Sequence, residues 1–329
     1  MLGGILALLA AASFAYNSAT ARRAVLTGSV FQGIAITVPL GVPIFFLAAL
    51  LFGQLGMLAA MPVHSMIWLG LAGIAHFVWG RYFFYRAQEM LGANLAGSIQ
   101  QFDLLLSLGL AIVFLGEVLT PLRVLGILLV LIGPALAFGS QRPNGGGMTS
   151  GAGARRAFAP QFLPGYIYVG LAALGYGISP TLTRLALRDL GPQASLVGGL
   201  IACTAATVAF AILVLVTGRI SHIASTNRET LKWFGVASVS VTFSQMLRFA
   251  ALSLAPVTVV QPIQRLSKLF LFFFSWWMNR EHEIFDSRLI IATIVSIIGA
   301  AILSVPTDVV LAMADWPPWV PTMLQWQWP

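Results

Sequence analysis

The sequence predicts an all-α integral membrane protein, with ten transmembrane helices arranged as two inverted five-helix repeats. Three observations carry this. The 329 residues are 58% hydrophobic and only 9% charged, with a mean hydropathy of +0.89, whereas soluble domains carry about 25% charged residues. Apolar runs long enough to cross a bilayer recur along the whole chain. The two halves repeat each other at a series of aligned positions. The single cysteine, Cys203, excludes an intrachain disulfide and a cysteine-rich metal cluster. A net charge of +8 raises the question of nucleic acid. The basic residues, however, sit in short loops between apolar runs, the pattern of cytoplasmic membrane loops. No nucleic-acid partner is expected.

A helix rises about 1.5 Å per residue, so about 20 apolar residues cross a hydrocarbon core of about 30 Å. Ten segments qualify: Leu2–Thr20, Gly28–Leu51, Ser65–Tyr85, Ala93–Leu115, Leu122–Phe138, Pro164–Leu185, Ser195–Val216, Leu231–Leu254, Val257–Met278 and Leu289–Val305. Backbone groups must be satisfied inside lipid, which makes these runs helices. The first run has no positive residue before it and is followed by Arg22 and Arg23, so it reads as a membrane helix rather than a cleaved signal.

The chain divides into 1–139, a first five-helix repeat; 140–163, a Gly/Arg-rich linker; 164–305, a second repeat; and 306–329, a tail rich in Trp and Pro. The linker region reads "GSQRPNGGGMTSGAGARRAFAP" and has no apolar period. In the tail, prolines forbid a long helix and tryptophans favour the headgroup zone.

The halves align on Glu117 and Glu281. That register sets Ala87 on Ala251, Ile99 on Ile263 and Gln100 on Gln264, and Gly133 on Gly299 after a two-residue insertion. The first helices match as Asn17 on Ser179 and Arg22 on Arg184. An odd number of helices per repeat turns the second upside down. Such repeats build secondary transporters with one site near the midplane.

The stretches "FYRAQEMLGANLAGSI…VFLGEVLTPLRVLGILLVLIG" and "RFAALSLAPVTVVQPI…NREHEIFDSRLIIATIVSIIG" resemble the drug/metabolite transporter superfamily, specifically its ten-helix EamA-type carriers. The resemblance spans nearly the whole chain before the tail. It implies a multi-pass protein of a bacterial-type inner membrane that exports metabolites, amino acids or drug-like compounds. It also implies a cavity lined by the first, third, fourth, sixth, eighth and ninth helices.

A charge at the bilayer centre costs about 3 kcal/mol on insertion scales, so it marks a structural pair or a functional path. On the ninth helix, Gln261, Arg265 and Lys268 share one face, flanked by Gln264. On the fourth, Gln100 and Asp103 form a stripe with Ser107 at the same depth. These stripes are expected to face one cavity, with Asp103 neutralising one cation and the other left to hold an anionic or zwitterionic substrate. Asn17, His76, Arg81 and Arg248 are weaker candidates for the lining. His76 could relay a proton, though a lone histidine is more often a packing residue. The serines and threonine of the eighth helix read as close packing. Glu117 and Glu281 read as charges solvated at helix ends.

The expected function is secondary transport of a small organic solute by alternating access, coupled to a proton or other ion gradient. The alternative is a flippase for a lipid-linked anion. An intramembrane enzyme fits poorly, because only Asp103 among ten acidic residues is deep in the membrane and no metal or nucleophile motif accompanies it. No cofactor is expected. Basic residues divide 11 to 3 in favour of loops after odd-numbered helices, which places both termini outside the cytoplasm. The EamA-type carriers imply the opposite.

Overall fold

The computed structural model describes residues 2–25, 27–91, 100, 102–117, 119–139, 162–267, 269–271 and 273–274, with short stretches between 291 and 326. Lys268, Glu281, most of the linker and most of the expected tenth helix lie outside the described residues. The α-helices are α1 (Leu2–Val25), α2 (Val30–Thr37), α3 (Gly41–Leu51), α4 (Met57–Ala60), α5 (Val63–Gly73), α6 (Arg81–Leu91), α7 (Phe102–Leu115) and α8 (Pro121–Gly139). They continue with α9 (Phe162–Leu187), α10 (Ser195–Thr217), α11 (Ile220–Ala224), α12 (Arg228–Leu254), α13 (Val257–Gln264), α14 (Thr307–Leu311) and α15 (Trp319–Leu324). A π-helical turn, Ile74–Gly80, joins α5 to α6 without a break.

Five described segments are long and apolar enough to cross a membrane: Leu2–Ala21, Val30–Leu51, Val63–Ala87, Pro192–Thr217 and Arg228–Leu254. The surface agrees with that reading. Leu51, Val113 and Val216 point outward almost fully exposed, while Arg81, Asp103, Gln245 and Arg248 are buried. A water-soluble domain arranges these residue types the other way round.

Local signals explain several helix ends. Ser29 caps α2: its hydroxyl accepts from Gln32 N–H, and the Gln32 side chain accepts from Ser29 N–H at 3.0 Å, a reciprocal capping box. Asn227 caps α12 by accepting from Thr230 N–H at 2.7 Å. Gly218 closes α10 at φ +64°, a left-handed position that costs glycine nothing. The segment expected as one helix over Gly28–Leu51 is instead α2 and α3 with a turn between. Pro39 stands in that turn and has no N–H to continue the ladder.

The same packing occurs twice. α1 lies along α12, and α9 lies along α5, the π turn and α6. α1 also meets α13, as α9 meets α7; α10 meets α5, as α12 meets α2 and α3. Each contact has its counterpart under the register read from the sequence. The α9 crossing is close: a Cβ added at Gly175 would collide with the Ala75 carbonyl, so only glycine fits there. Phe45, Leu69, Phe77, Phe210 and Phe249 fill one core and Leu104, Leu252, Val260 and Ile263 another.

Candidate functional site

Between these helices lies a cavity of about 100 Å³. Its walls come from α1, the π turn, α6, α7 with the preceding Gln100, α9, α12, and α13 with the residues that follow it. These are the same six segments that the family resemblance implies. Of the expected site residues, His76, Gln100, Asp103, Arg248, Gln261, Gln264 and Arg265 border it. Asn17 is buried in α1 but does not border it, and Lys268 lies outside the described residues.

Arg81 is displaced to a second, smaller cavity. That cavity has about 10 Å³ and is bordered by Thr37, Arg81, Cys203, Thr242 and Gln245, room for about one water. Arg81 donates to the Thr37 hydroxyl at 3.0 Å, and its guanidinium carbon lies 5.3 Å from the Phe77 ring centroid. Gln245 borders both cavities.

Two polar constellations build the larger cavity. In the first, Asp103 and Arg265 form an ion pair at 2.6 Å, with their side chains 5% and 13% exposed. The contact joins charge to charge across the two halves. Gln100 donates to Asp103 at 3.3 Å, and Arg265 donates to Gln261 at 3.4 Å. Ser107, one turn along α7, donates to the Gly177 carbonyl at 3.0 Å and fixes α7 against α9.

In the second, Arg248 Nε donates to Gln245 Oε1 at 2.6 Å, and Gln245 Nε2 lies 3.3 Å from His76 Nε2. His76 sits in the π turn, where one extra residue widens the helix, an irregularity common at functional sites. Pro180 in α9 borders the same space and leaves the Tyr176 carbonyl without its usual helical donor.

Sequence reasoning did not place Phe14, Tyr176, Gln245 or Ser267 at the site. Phe14 and Tyr176 carry no polar signal, and Gln245 is one polar residue in a helix rich in small hydroxyl side chains. The packing reading holds for two neighbours: Ser238 donates to the Thr37 carbonyl, and Ser244 to the Ala10 carbonyl at 2.7 Å. A signal for the others was present in the repeat. Asn17 on Ser179 carries Phe14 onto Tyr176. Gln100 on Gln264 carries Asp103 onto Ser267 and Phe84 onto Arg248. Phe14 with Tyr176, Gln100 with Gln264, Asp103 with Ser267 and Phe84 with Arg248 all border the cavity, whereas Asn17 and Ser179 do not.

Glu117 is more than a solvated charge. Its two carboxylate oxygens accept from Val257 N–H and Thr258 N–H, each at 2.9 Å. It therefore caps the N-terminus of α13 from the other half of the chain.

Comparisons with known proteins bear on the family and the fold. The model of the EamA-like transporter family matches residues 1–139 and 163–305. A solved structure titled only "Crystal structure of protein" is similar in fold, with a TM-score of 0.68 and 18% identity over 96% of this chain and 99% of that one. No curated protein matches the chain.

Proposed function

The chain belongs to the EamA-like transporter family, and from that premise we propose that it is a secondary transporter of a small organic solute, anionic or zwitterionic. It moves its substrate by alternating access between two inverted five-helix repeats in a bacterial-type inner membrane. Coupling is to an ion or solute gradient, because the sequence carries no ATP-binding motif.

The observation that carries this reading is the placement of the cavity. Half of its described lining falls into repeat-related pairs: Phe14 with Tyr176, Phe84 with Arg248, Gln100 with Gln264, and Asp103 with Ser267. A site that straddles two related halves can open to one side when the halves tilt one way and to the other side when they tilt back. The Asp103–Arg265 ion pair bridges the halves, so rocking must strain or remake it. The volume of the larger cavity favours a small solute over the headgroup of a lipid-linked anion. The residues bordering it hold one carboxylate, which suits binding better than hydrolysis.

Purified protein in proteoliposomes tests the proposal. Vesicles preloaded with a small carboxylate should exchange it for labelled carboxylate outside, faster than protein-free vesicles. Exchange equal to that of empty vesicles, across carboxylates, amino acids and neutral solutes, refutes it.

A further inference from the structure

Building on the transporter reading, we propose that Arg248 is the carboxylate seat of the larger cavity. The preferred ligand is a small carboxylate that carries its own hydrogen-bond donor, such as an amino acid or a hydroxy acid.

Arg248 is 3% exposed. Its Nε is engaged with Gln245, but Nη1 and Nη2 have no hydrogen-bond partner among the described residues. The Phe249 ring, 5.2 Å from the guanidinium carbon, offers π density and no lone pair. The one carboxylate among the residues bordering the cavity, Asp103, stands against Arg265 instead. A buried guanidinium with two idle NH2 groups is costly and is retained where a ligand completes it. The fork of Nη1 and Nη2 matches the two oxygens of a carboxylate.

The neighbouring groups fix the rest of the ligand. Because Arg248 can only donate, Gln245 must turn its oxygen towards it. The Gln245 NH2 then faces His76 Nε2, which accepts. A neutral His76 therefore carries its proton on Nδ1, and that atom is buried without a partner. Asp103 likewise forces Gln100 to present its NH2, which leaves Gln100 Oε1 buried and unpaired. Among the described lining residues, idle donors thus stand at Arg248, at His76 and at Arg265 Nε, and an idle acceptor at Gln100.

A carboxylate bearing an amino or hydroxyl group satisfies both kinds. A phosphate dianion brings a second charge that one unpaired fork does not answer. The volume of about 100 Å³ is less than the cavity of about 150 Å³ that holds benzene. This limits the ligand to a handful of heavy atoms.

The test uses the full chain in detergent and follows thermal unfolding with L-lactate, L-alanine and glycolate at millimolar concentrations. Lactamide, alaninamide and methyl phosphate serve as comparisons. The carboxylates should raise Tm saturably, and the amides should not. Arg248→Gln should weaken lactate binding by at least about thirtyfold. Its ligand-free Tm should match or exceed that of the wild type, because an unpaired buried charge is gone; a purely structural arginine would give a lower one. Arg248→Lys keeps the charge without the fork, so it should fold and bind lactate at least about tenfold more weakly. Equal stabilisation by amides, no shift with any carboxylate, or unchanged binding by both variants overturns the proposal. The two readings fail separately. Saturable binding without vesicle exchange sinks transport and keeps the seat, whereas exchange indifferent to the carboxylate sinks the seat and keeps transport.

Discussion

Replacing Glu117 removes a cap that reaches from the first half of the chain to the second. Val257 and Thr258 carry the first N–H groups of α13, which helix geometry leaves without partners. Both donate to Glu117 at 2.9 Å. On the other side of the break, Arg184 Nη1 donates to the Leu252 and Ser253 carbonyls at 2.8 and 3.0 Å, near the end of α12. One carboxylate and one guanidinium therefore grip the two ends of the turn between α12 and α13. Hydrogen bonds to a charged group are worth about 1.5–3 kcal/mol each, and those partly open to solvent fall at the low end. Glu117→Gln keeps one acceptor and loses the charge, so it should cost about 1–3 kcal/mol, and Glu117→Ala about 2–4. At about 2 °C per kcal/mol for a chain of this length, Tm should fall by roughly 2–6 °C and 4–8 °C respectively. Arg184→Gln should cost a similar amount. The double variant should lose less than the sum, because both side chains hold the same turn. Thermal unfolding of purified protein reads all four species. The alanine variant should also bind lactate more weakly, since α13 carries Gln261 and Gln264 to the cavity. An unchanged Tm for Glu117→Ala, or strict additivity in the double variant, would refute the reasoning.

Other outcomes follow from the same contacts. Asp103→Asn leaves Arg265 without its charge at 2.6 Å and should cost about 3–5 kcal/mol, partly recovered in the Asp103→Asn/Arg265→Gln double variant; no recovery in thermal unfolding would mean the pair is not coupled. Gly175→Leu drives a side chain onto the Ala75 carbonyl and should cost about 3 kcal/mol or more, read as loss of monodisperse protein after extraction. Alkaline phosphatase fused after Pro329 should be active, because the basic residues divide 11 to 3 in favour of loops after odd-numbered helices; a fluorescent cytoplasmic fusion at the same point would reverse the orientation.

Much of the candidate site was legible in the sequence because a charge in a membrane-spanning segment is costly and marks either a structural pair or a functional path. Asp103 and Arg265 drew attention for that reason, and they meet. Gln100, Gln261 and Gln264 followed from helical spacing on the same faces. Arg81 and Arg248 were indistinguishable as letters. Only packing separates them, one satisfied by the Thr37 hydroxyl and the other left with idle donors. Gln245 escaped notice because its role depends on partners on two sides, Arg248 within its own helix and His76 169 positions away. Phe14 and Tyr176 were silent for a different reason: an aromatic on a membrane helix packs against lipid, protein or ligand with the same chemistry. The cap on α13 was hidden by distance, since Glu117 marks a helix end in the sequence while the N–H groups it accepts from lie 140 residues on.

The repeat explains why the cavity has the chemistry it has. Scaffold positions keep the same residue in both halves: Ala87 and Ala251, Arg22 and Arg184, Glu117 and Glu281, Gly133 and Gly299. Four pairs of repeat counterparts border the same small cavity. Two guanidinia or two carboxylates there would repel in a medium that screens poorly. The charged pairs are accordingly unequal: Asp103 matches Ser267, Arg248 matches Phe84, and Arg265 matches Gln101. The neutral pair, Gln100 and Gln264, is duplicated without penalty. Among the described residues, breaking symmetry at the charges leaves one ion pair and one further guanidinium where a symmetric cavity would hold matched like charges. That asymmetry gives a two-fold scaffold a ligand site with a direction, a carboxylate end at Arg248 and a donor-accepting end at Gln100.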